Sequence, residues 1–324
     1  MDKILITGGA GFIGSHVARQ LLASGSRVVI LDNLDPFYDV RIKRRNLQAL
    51  QATAPSGAFE FVEGDIRDAE ACQAALRDAT AVLHIAALAG VRPSIQDPVR
   101  YMDVNVTGTQ TLLEALRRLP GPVPFVFASS SSVYGGSDKL PFRESDPVDR
   151  PVSPYAASKK AGEVVCAAFH HLWASPVTCL RFFTVYGPGQ RPEMAIHKFS
   201  RAIVRGEPLP FFGDGTTRRD YTYVDDVVAG VVSALQRADG YRIYNLGGSH
   251  TTSLTELVQK LEKAFGKAAV LDRRPEQPGD VKQTYADVQL AERELGFRPR
   301  VGMDEGIERF ARWYLAERAA GNVA

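Results

Sequence analysis

The sequence predicts an α/β protein built on a Rossmann-type, doubly wound parallel sheet. Two observations predict this fold class. Short apolar runs alternate with amphipathic stretches through the first two-thirds of the 324 residues, as in strands joined by helical crossovers. A glycine-rich turn also joins the first apolar run to the first helix pattern, which is typical of nucleotide-binding sheets.

Each candidate strand is short and apolar, and a helix pattern follows most of them. We predict strands at residues 3–7, 27–32, 59–63, 81–85 and 124–128. We predict helices at residues 16–24, 69–76, 105–119 and 154–172. Right-handed crossovers between such strands would give a parallel sheet that is covered on both faces.

The length favours two lobes, because one domain usually holds about 100–200 residues. The pattern changes after Gly187, where prolines and a turn cluster at residues 213–217 interrupt it. We therefore place a first, cofactor-binding lobe at residues 1–180 and a smaller, substrate-binding lobe mainly at residues 181–324. A helix pattern and a strand pattern then predict that the chain returns to the first sheet around residues 222–247, so that the lobes are interleaved.

The composition is that of an ordinary globular protein, with 45% hydrophobic residues, 23% charged residues and a net charge of +2. It gives no argument for a nucleic-acid partner. No apolar stretch approaches the roughly 18 residues that cross a bilayer, and no basic leader precedes the apolar start. We expect a cytoplasmic protein with no membrane partner. The three cysteines lack the spacing of a metal or redox site, so we expect no metal.

Gly8, Gly11 and Gly14 form the glycine-rich turn, where a pyrophosphate could approach backbone amides at a helix N-terminus. Alone this run is weak evidence, since turns and helix packing also use glycine. The second strand ends in Asp32, near the spacing of about twenty residues at which an acid accepts hydrogen bonds from the adenosine ribose. Its charge would repel a 2′-phosphate and favours NAD over NADP. Basic residues that follow could alter this preference, although we interpret them as a solvated helix face: Arg41, Lys43, Arg44 and Arg45.

Further residues of the predicted NAD site follow the other strands. Asp65 comes after the third strand and is placed for the adenine edge, although a helix cap explains it equally well. The small side chains of Ala86 and Ala87 would let the end of the fourth strand lie against the cofactor. The neighbouring residues that we include are Phe12, Ile13, Asn33 and Ile66.

Tyr155 and Lys159 are four residues apart in a helix pattern, so they share a helix face. The cation favours the phenolate, which can then accept a hydroxyl proton near neutrality. An exposed helix face would explain the same pair. The serine run at residues 129–132 follows the fifth strand, at the sheet edge that faces the ligand crevice. We expect these hydroxyls to face the substrate, although a serine-stabilised turn explains part of the run.

A set of motifs is spread over nearly the whole chain: TGGAGFIG, HIAALAGVR, SSSSVYG, YAASK, RFFTVYGP, RRDYTYVDD and NLGG. Together they resemble the extended short-chain dehydrogenase/reductase superfamily, and within it the nucleotide-sugar enzymes. VRPS, RFFTVYGPGQRPEMA and PGDVKQTYAD are most similar to the corresponding segments of UDP-glucuronate 4-epimerases.

This resemblance implies a catalytic set of Ser130, Tyr155 and Lys159. It also implies the reaction class. The related 4,6-dehydratases carry an Asp-Glu pair at the places of Ser131 and Ser132, and the related decarboxylases carry a glutamate at the place of Ser132. The resemblance therefore favours 4-epimerisation of UDP-glucuronate to UDP-galacturonate through a 4-keto intermediate, with Tyr155 as base and NAD regenerated in each turnover.

The resemblance also implies where the sugar is held. UDP-galactose epimerases carry an asparagine at the place of Thr184, and this difference suits an anionic sugar. Ser131, Ser132 and Thr184 are candidate donors to the sugar carboxylate. Arg92 or Arg191 could add a bidentate cation, although a surface ion pair explains either arginine equally well.

The nucleotide end of the substrate has two predicted ligands. Arg219 matches the phosphate-binding arginine of the family. Asp280 resembles the acid that binds the uridine ribose, whereas Gln277 stands where many relatives have arginine.

Other functions remain open at this stage. A 4-epimerase of UDP-glucose or UDP-N-acetylglucosamine would share every catalytic residue. A UDP-glucuronate decarboxylase, a net reductase and a non-catalytic NAD-binding protein are less favoured. The helices predicted at residues 105–119 and 154–172 resemble the pair that forms a four-helix dimer interface in the superfamily, so we expect a homodimer.

Overall fold

The structure is a computed structural model that describes residues 2–276 and 281–323. The strands, in chain order, are β1 (Lys3–Thr7), β2 (Arg27–Asp32), β3 (Phe59–Glu63), β4 (Ala81–His84), β5 (Phe125–Ser130), β6 (Val177–Phe182), β7 (Thr184–Tyr186), β8 (Pro208–Phe212), β9 (Arg218–Tyr223), β10 (Tyr241–Leu246), β11 (Thr251–Ser253) and β12 (Val270–Arg274). The α-helices are α1 (Phe12–Ala23), α2 (Val40–Thr53), α3 (Ala69–Ala75), α4 (Val91–Gln96), α5 (Pro98–Met102), α6 (Gly108–Leu116), α7 (Pro154–Trp173), α8 (Ala195–Arg205), α9 (Val224–Gln236), α10 (Leu254–Phe265), α11 (Gln289–Leu295) and α12 (Met303–Ala319).

Within the described residues, seven parallel strands form the main sheet in the order β3-β2-β1-β4-β5-β6-β10. The strand order reverses direction between β1 and β4, which is the switch point where α/β sheets bind ligands. The helices α1 and α9 pack on one face, and α3, α6 and α7 pack on the other. The predicted fold class is therefore confirmed.

Several predicted elements match the structure closely. The first three strands have the predicted bounds, and β10 lies within the segment predicted to return to the first sheet. The fifth strand was predicted to end at residue 128 but continues to Ser130, and the first helix begins at Phe12 rather than at residue 16. This helix starts early because Gly11 is its N-cap, so Gly14 lies inside its first turn.

The helix predicted at residues 105–119 begins differently. A π-helical turn at Asp103–Thr107 precedes α6, which begins only at Gly108. Asn105 lies in this turn and its side chain bonds both backbone groups of Leu88. Such π-helical turns often occur at functional sites. This one directs the Asn105 side chain toward the loop that follows β4.

A strand that the apolar pattern did not single out, β6, lies between β5 and β10. All six of its residues are buried, including Arg181. A charged residue in the middle of the run interrupts the apolar pattern of a central strand, which explains why the sequence signal was weak.

The remaining strands lie within residues 181–324, the region predicted as the second lobe. Within the described part of the chain they form a three-stranded sheet, β11-β9-β7, and a two-stranded sheet, β12-β8. The buried residues of α8, α10 and α12 join the same core as α1 and α9. No helix in the described residues is long and apolar enough to cross a bilayer.

Candidate active site

A cavity of about 450 Å³ lies along the carboxyl ends of β1, β2, β4 and β5, and residues of the second lobe close its other side. Most of the residues predicted for the cofactor and substrate line it: Gly8, Gly11, Phe12, Ile13, Gly14, Asp32, Asn33, Asp65, Ile66, Ala86, Ala87, Ser130, Ser131, Ser132, Tyr155, Lys159, Thr184, Arg191 and Arg219. One end of the cavity is thus formed by the glycine-rich turn and the other by the second lobe.

The glycine-rich turn leaves no room for side chains at two positions. Gly8 has a φ of +70°, and a Cβ there would lie 2.7 Å from the backbone of Ala86. A Cβ on Gly14 would lie 2.4 Å from the carbonyl oxygen of Gly8. The turn therefore packs directly on the end of β4, and the first amides of α1 face a space in which a pyrophosphate would fit.

Asp32 ends β2 and is almost completely buried. Its carboxylate accepts hydrogen bonds from the backbone amides of Ala10 (3.2 Å) and Leu34 (2.9 Å). Lys43 lies 3.7 Å from the same carboxylate and is buried. The interpretation of the basic cluster as a solvated helix face was therefore wrong for Lys43, because α2 turns this residue inward.

Asp65 and Asn33 form a second polar contact at this end. The Asn33 amide donates to Asp65 at 2.8 Å, and hydrogen bonds from Arg67 lower the pKa of Asp65 to about 2. The N-cap of α3 is Asp68 rather than Asp65. Asp65 is thus held ionised at the cavity wall.

The helix α7 positions Tyr155 and Lys159. Ser153 caps its N-terminus and Pro154 occupies the first turn, as expected at a helix start. The Lys159 ammonium donates to the carbonyl oxygen of Ala128 at 2.7 Å, and burial lowers the pKa of Lys159 to about 8. Burial raises the pKa of Tyr155, while a hydrogen bond with Ser130 and the charge of Arg191 oppose this shift. The pair lies in the cavity wall and not on an exposed helix face.

The four serines have different environments. The Ser129 hydroxyl donates to Glu163 at 2.6 Å, so this side chain is occupied below the cavity. Ser130 accepts from the backbone amide of Ser132 at 3.2 Å and caps the 3-10 turn at Ser131–Tyr134. The hydroxyl of Ser132 is buried and has no hydrogen-bond partner in the described residues. Ser132 therefore has a hydroxyl whose hydrogen-bonding capacity is not used within the described residues.

A buried ion pair supports the end of β5. Glu163 bonds Arg181 through both oxygens, at 2.8 and 2.9 Å, and each side chain is 1% exposed. Arg181 also donates to the Tyr134 hydroxyl at 2.9 Å, and Tyr134 donates to Asn245 at 2.7 Å. This network joins α7, β6, β10 and the turn after β5 directly beneath Ser129.

A second buried network, also absent from the sequence prediction, starts at His84. The Thr109 hydroxyl donates to the Asn105 carbonyl, so Thr109 can only accept from His84 Nε2, at 2.8 Å. The Nδ1 of His84 then accepts from the Thr7 hydroxyl at 2.7 Å, and Thr7 accepts from the amide of Ala86. Burial lowers the pKa of His84 to about 3, which agrees with this neutral tautomer.

Asn105 connects this network to α7. Its amide donates to the hydroxyl of Ser158 at 2.9 Å, and Ser158 donates to the carbonyl oxygen of Tyr155 at 2.8 Å. The loop after β4 and the first turn of α7 are thus linked by one buried side chain. Polar residues inside otherwise apolar elements, such as His84 in AVLH, were the signal that could have revealed these contacts.

Arg191 and Arg219 enter the cavity from the second lobe. Arg191 lies 3.2 Å from Glu193 and over the ring of Phe37 at 5.8 Å. Arg219 donates to the backbone carbonyl of Arg218. Both arginines line the cavity and are half-buried.

Arg92, a predicted substrate residue, lies elsewhere. Arg92 is not part of the cavity lining as described, and its guanidinium lies 5.1 Å from the ring centre of Phe212 in the second lobe. Asp280 and Gln277 lie outside the described residues. Among the lining residues that sequence reasoning missed near the cofactor end are Tyr38 and Lys43.

Residues 5–310 match the family model described as GDP-mannose 4,6 dehydratase. A probable UDP-glucuronate 4-epimerase of Rhizobium meliloti (strain 1021) is 39% identical over 333 residues, which cover 96% of each chain. The crystal structure of a UDP-glucuronic acid 4-epimerase from Bacillus cereus, in complex with UDP-glucuronic acid and NAD, is 37% identical. It superimposes with a TM-score of 0.91 and covers 97% of this chain and 99% of that chain. A dTDP-glucose 4,6-dehydratase of Streptomyces venezuelae with NAD bound is 35% identical, with a TM-score of 0.91 and 98% of both chains covered.

Proposed function

The chain belongs to the GDP-mannose 4,6 dehydratase family of short-chain dehydrogenase/reductase proteins, and from this membership we propose that it is an NAD-dependent UDP-glucuronate 4-epimerase. The observation that carries the proposal is the cavity wall beside Tyr155, which presents serine and threonine hydroxyls and the cation of Arg191. Among the described lining residues the carboxylates are those of Asp32, Asp35 and Asp65, which lie at or after the ends of β2 and β3. Among the described residues, the wall beside Tyr155 therefore has no carboxyl pair to serve as the acid and base for elimination of water.

The residues at the other end of the cavity fit NAD. Gly8 and Gly14 leave the space that a pyrophosphate needs, and Asp32 is placed for the adenosine ribose. When bound, NAD accepts a hydride from C4 of the sugar and later returns it. Ala86 and Ala87 would lie against the cofactor, as their small side chains allow.

Tyr155 is the proposed base for the C4 hydroxyl proton. Ser130 lies within hydrogen-bonding reach of Tyr155 and would hold the same sugar oxygen. The ammonium of Lys159 favours the phenolate. After the 4-keto sugar turns about its link to the diphosphate, C4 would take the hydride back on its opposite face, and Tyr155 would return the proton to the C4 oxygen.

A 4-keto uronate is a β-keto acid, so the site must restrain its carboxylate to prevent loss of carbon dioxide. We assign this restraint to Ser131, Ser132, Thr184 and Arg191. The unpartnered hydroxyl of Ser132 supports the assignment, because a buried hydroxyl without a hydrogen bond costs stability unless a ligand completes it. Arg191 would add a charge-assisted hydrogen bond.

The diphosphate and uridine lie toward the second lobe in this proposal. Arg219 would bind a phosphate, and Val281 and Thr284 line the same side of the cavity. Asp280, which precedes Val281, stays the predicted ligand of the uridine ribose. Arg92 stays a candidate contact of the sugar, in second place after Arg191, because it does not line the cavity.

The decisive experiment incubates the purified protein with UDP-glucuronate, with and without added NAD, and follows the sugars by anion-exchange chromatography and proton NMR. We expect UDP-galacturonate and no net NADH. Tyr155→Phe should lower the rate by about 10²–10⁴-fold, the usual contribution of a positioned base. Tyr244→Phe, which changes a tyrosine on β10 outside the cavity lining, should keep the rate.

Other outcomes would contradict the proposal in different ways. Conversion of UDP-glucose or UDP-N-acetylglucosamine, with UDP-glucuronate returned unchanged, would show a neutral-sugar epimerase and a wrong carboxylate assignment. Release of carbon dioxide would show a decarboxylase. Sustained NADH formation would show a net oxidoreductase.

The proposal includes a homodimer in the cytoplasm. Of the two helices predicted for the interface, α7 exposes Val164 (55%) and Leu172 (64%), apolar side chains that a second copy would cover. The three cysteines are free and buried, which suits a reducing compartment. Light scattering after size exclusion should give twice the chain mass, and Val164→Asp should give a monomer.

A further inference from the structure

Lys43 is the cation of the cavity lining that the proposed chemistry does not use. It projects from α2 into the cofactor end of the cavity. Its side chain is 9% exposed, and its ammonium lies 3.7 Å from Asp32 Oδ1 and 5.1 Å from the ring centre of Tyr38. The neighbouring Arg44 is exposed, so burial is specific to this position of the helix.

The hydrogen-bonding capacity of this ion pair is not used up. Each Asp32 oxygen accepts one backbone amide, and a carboxylate oxygen can accept a further hydrogen bond. Within residues 2–276 and 281–323 the Lys43 ammonium makes the ion pair and the aromatic contact only, and a separation of 3.7 Å is too long for a good hydrogen bond. A ligand hydroxyl placed between the two groups could therefore donate to Asp32 and accept from Lys43.

The pair also changes the charge at this end of the cavity. An unpaired buried aspartate repels a 2′-phosphate, whereas an ammonium beside it cancels most of that field at short range. Two further charges act on the neighbouring Tyr38, the positive charge of Arg191 and the negative charge of Glu193, and these two side chains pair with each other at 3.2 Å. Exclusion of a phosphorylated ribose would then depend on the Asp32 carboxylate itself and not on a negative pocket.

We propose that Lys43 is a second ligand of the adenosine ribose and that it sets the nucleotide preference together with Asp32. Lys43 donates to the ribose oxygen whose hydroxyl donates to Asp32. Removal of the Asp32 charge leaves Lys43 as an unopposed cation that accepts the 2′-phosphate of NADP. The inference rests on the proposed binding of NAD, and it concerns nucleotide binding rather than the sugar reaction.

The test is a competition for the full-length protein. Each variant is equilibrated with equal concentrations of NAD⁺ and NADP⁺ and desalted, and the nucleotides released on denaturation are separated by chromatography. Asp32→Asn should raise the ratio of bound NADP⁺ to bound NAD⁺ at least about tenfold, because a hydrogen bond to a charged group contributes about tenfold or more to affinity. Lys43→Met in the Asp32→Asn background should remove that gain. Arg44→Met in the same background is the matched control and should keep the gain.

Each result decides the matter. If the higher ratio of bound NADP⁺ to NAD⁺ in Asp32→Asn persists when Lys43→Met is added, Lys43 only forms an ion pair with Asp32 and the proposal is wrong. If Asp32→Asn does not fold, calorimetric titration of Lys43→Met alone tests the proposal. This variant must bind both nucleotides more weakly, with the affinity for NADP⁺ reduced about tenfold more than the affinity for NAD⁺. An equal reduction for both nucleotides overturns the proposal. A folded wild-type protein that holds neither nucleotide would refute NAD binding itself, whereas nucleotide binding without epimerisation would refute only the sugar assignment.

Discussion

The ion pair between Glu163 and Arg181 offers the sharpest test of the packing beneath the active site. Both side chains are 1% exposed, and Glu163 accepts two hydrogen bonds from Arg181 and one from Ser129. Glu163→Gln keeps the shape but leaves the Arg181 charge without its counterion. Removing one partner of a buried pair typically costs about 3–5 kcal/mol.

The lower end of this range applies, because the glutamine oxygen can still accept one hydrogen bond. We therefore expect a loss of about 3 kcal/mol in the free energy of unfolding. With an unfolding entropy of about 2.1 cal/mol/K per residue over 324 residues, this loss lowers Tm by about 4–5 °C. Urea denaturation followed by circular dichroism, with thermal scans beside it, measures both quantities.

A surface pair provides the control. Glu305 and Arg309 are four residues apart on α12 and are 54% and 36% exposed. Glu305→Gln should change the free energy of unfolding by about 0.5 kcal/mol or less, as exposed pairs do.

The pH dependence gives a second check. Burial opposes ionisation of Glu163, but the hydrogen bonds and charge of Arg181 outweigh it and lower its pKa. Its contribution to stability is therefore present above the unfolded-state pKa of about 4.3 and is lost as the pH falls through the lowered folded-state value. The deficit of Glu163→Gln should shrink in acid. A Glu163→Gln variant as stable as the Glu305→Gln control at pH 7 would refute this account of the network.

Three further predictions concern single residues. Asp220 is fully buried, and burial raises its pKa to about 6 although backbone amides donate hydrogen bonds to it. Between about pH 4 and 6 the native state therefore holds one proton more than the unfolded state. The free energy of unfolding should fall as the pH rises through this range. Asp220→Asn should thus gain unfolding free energy relative to wild type between pH 4 and 7, by about 3 kcal/mol for a shift of about two units, and a pH-independent difference in urea denaturation would contradict this. Burial lowers the pKa of Lys159 to about 8, so the ammonium that favours the Tyr155 phenolate loses its proton as the pH rises through that value. We therefore expect kcat to fall above about pH 8. A kcat that stays constant to about pH 10 would exclude this role of Lys159. Gly14→Ala places a Cβ 2.4 Å from the carbonyl oxygen of Gly8 and should displace the first turn of α1. We expect the purified variant to carry less than about a tenth of the NAD that the wild-type protein carries. An NAD content equal to that of the wild type would show that the turn tolerates the side chain.

The main sheet was predictable because its strands are apolar runs bounded by turns. Residues 3–7, 27–32 and 59–63 were assigned with their observed bounds, since the apolar period and the flanking glycines agree. Tyr155 and Lys159 were also placed correctly relative to each other, because a spacing of four fixes a shared helix face. Their catalytic role stays a prediction until the variants are measured.

Charged residues were harder to predict, because the partner of a charge depends on contacts far away in sequence. Lys43 looked like part of a solvated basic cluster, yet its partner Asp32 lies on another element. Arg181 interrupted the apolar pattern of β6, and its partner Glu163 lies on α7. Arg92 was expected at the sugar but lies against Phe212. The boundary between lobes at residue 180 stays a prediction, and it falls within β6.

The position of β6 affects how the chain folds during synthesis and where it can be truncated. β6 pairs with β5 on one side and with β10 on the other, and about sixty residues are synthesised between β6 and β10. During synthesis, β6 therefore has an apolar edge without a neighbour until Tyr241–Leu246 leaves the ribosome, and such edges promote aggregation. A fragment that ends near residue 180 would keep this open edge permanently, so the cofactor-binding lobe should be expressed with the segment that completes its sheet.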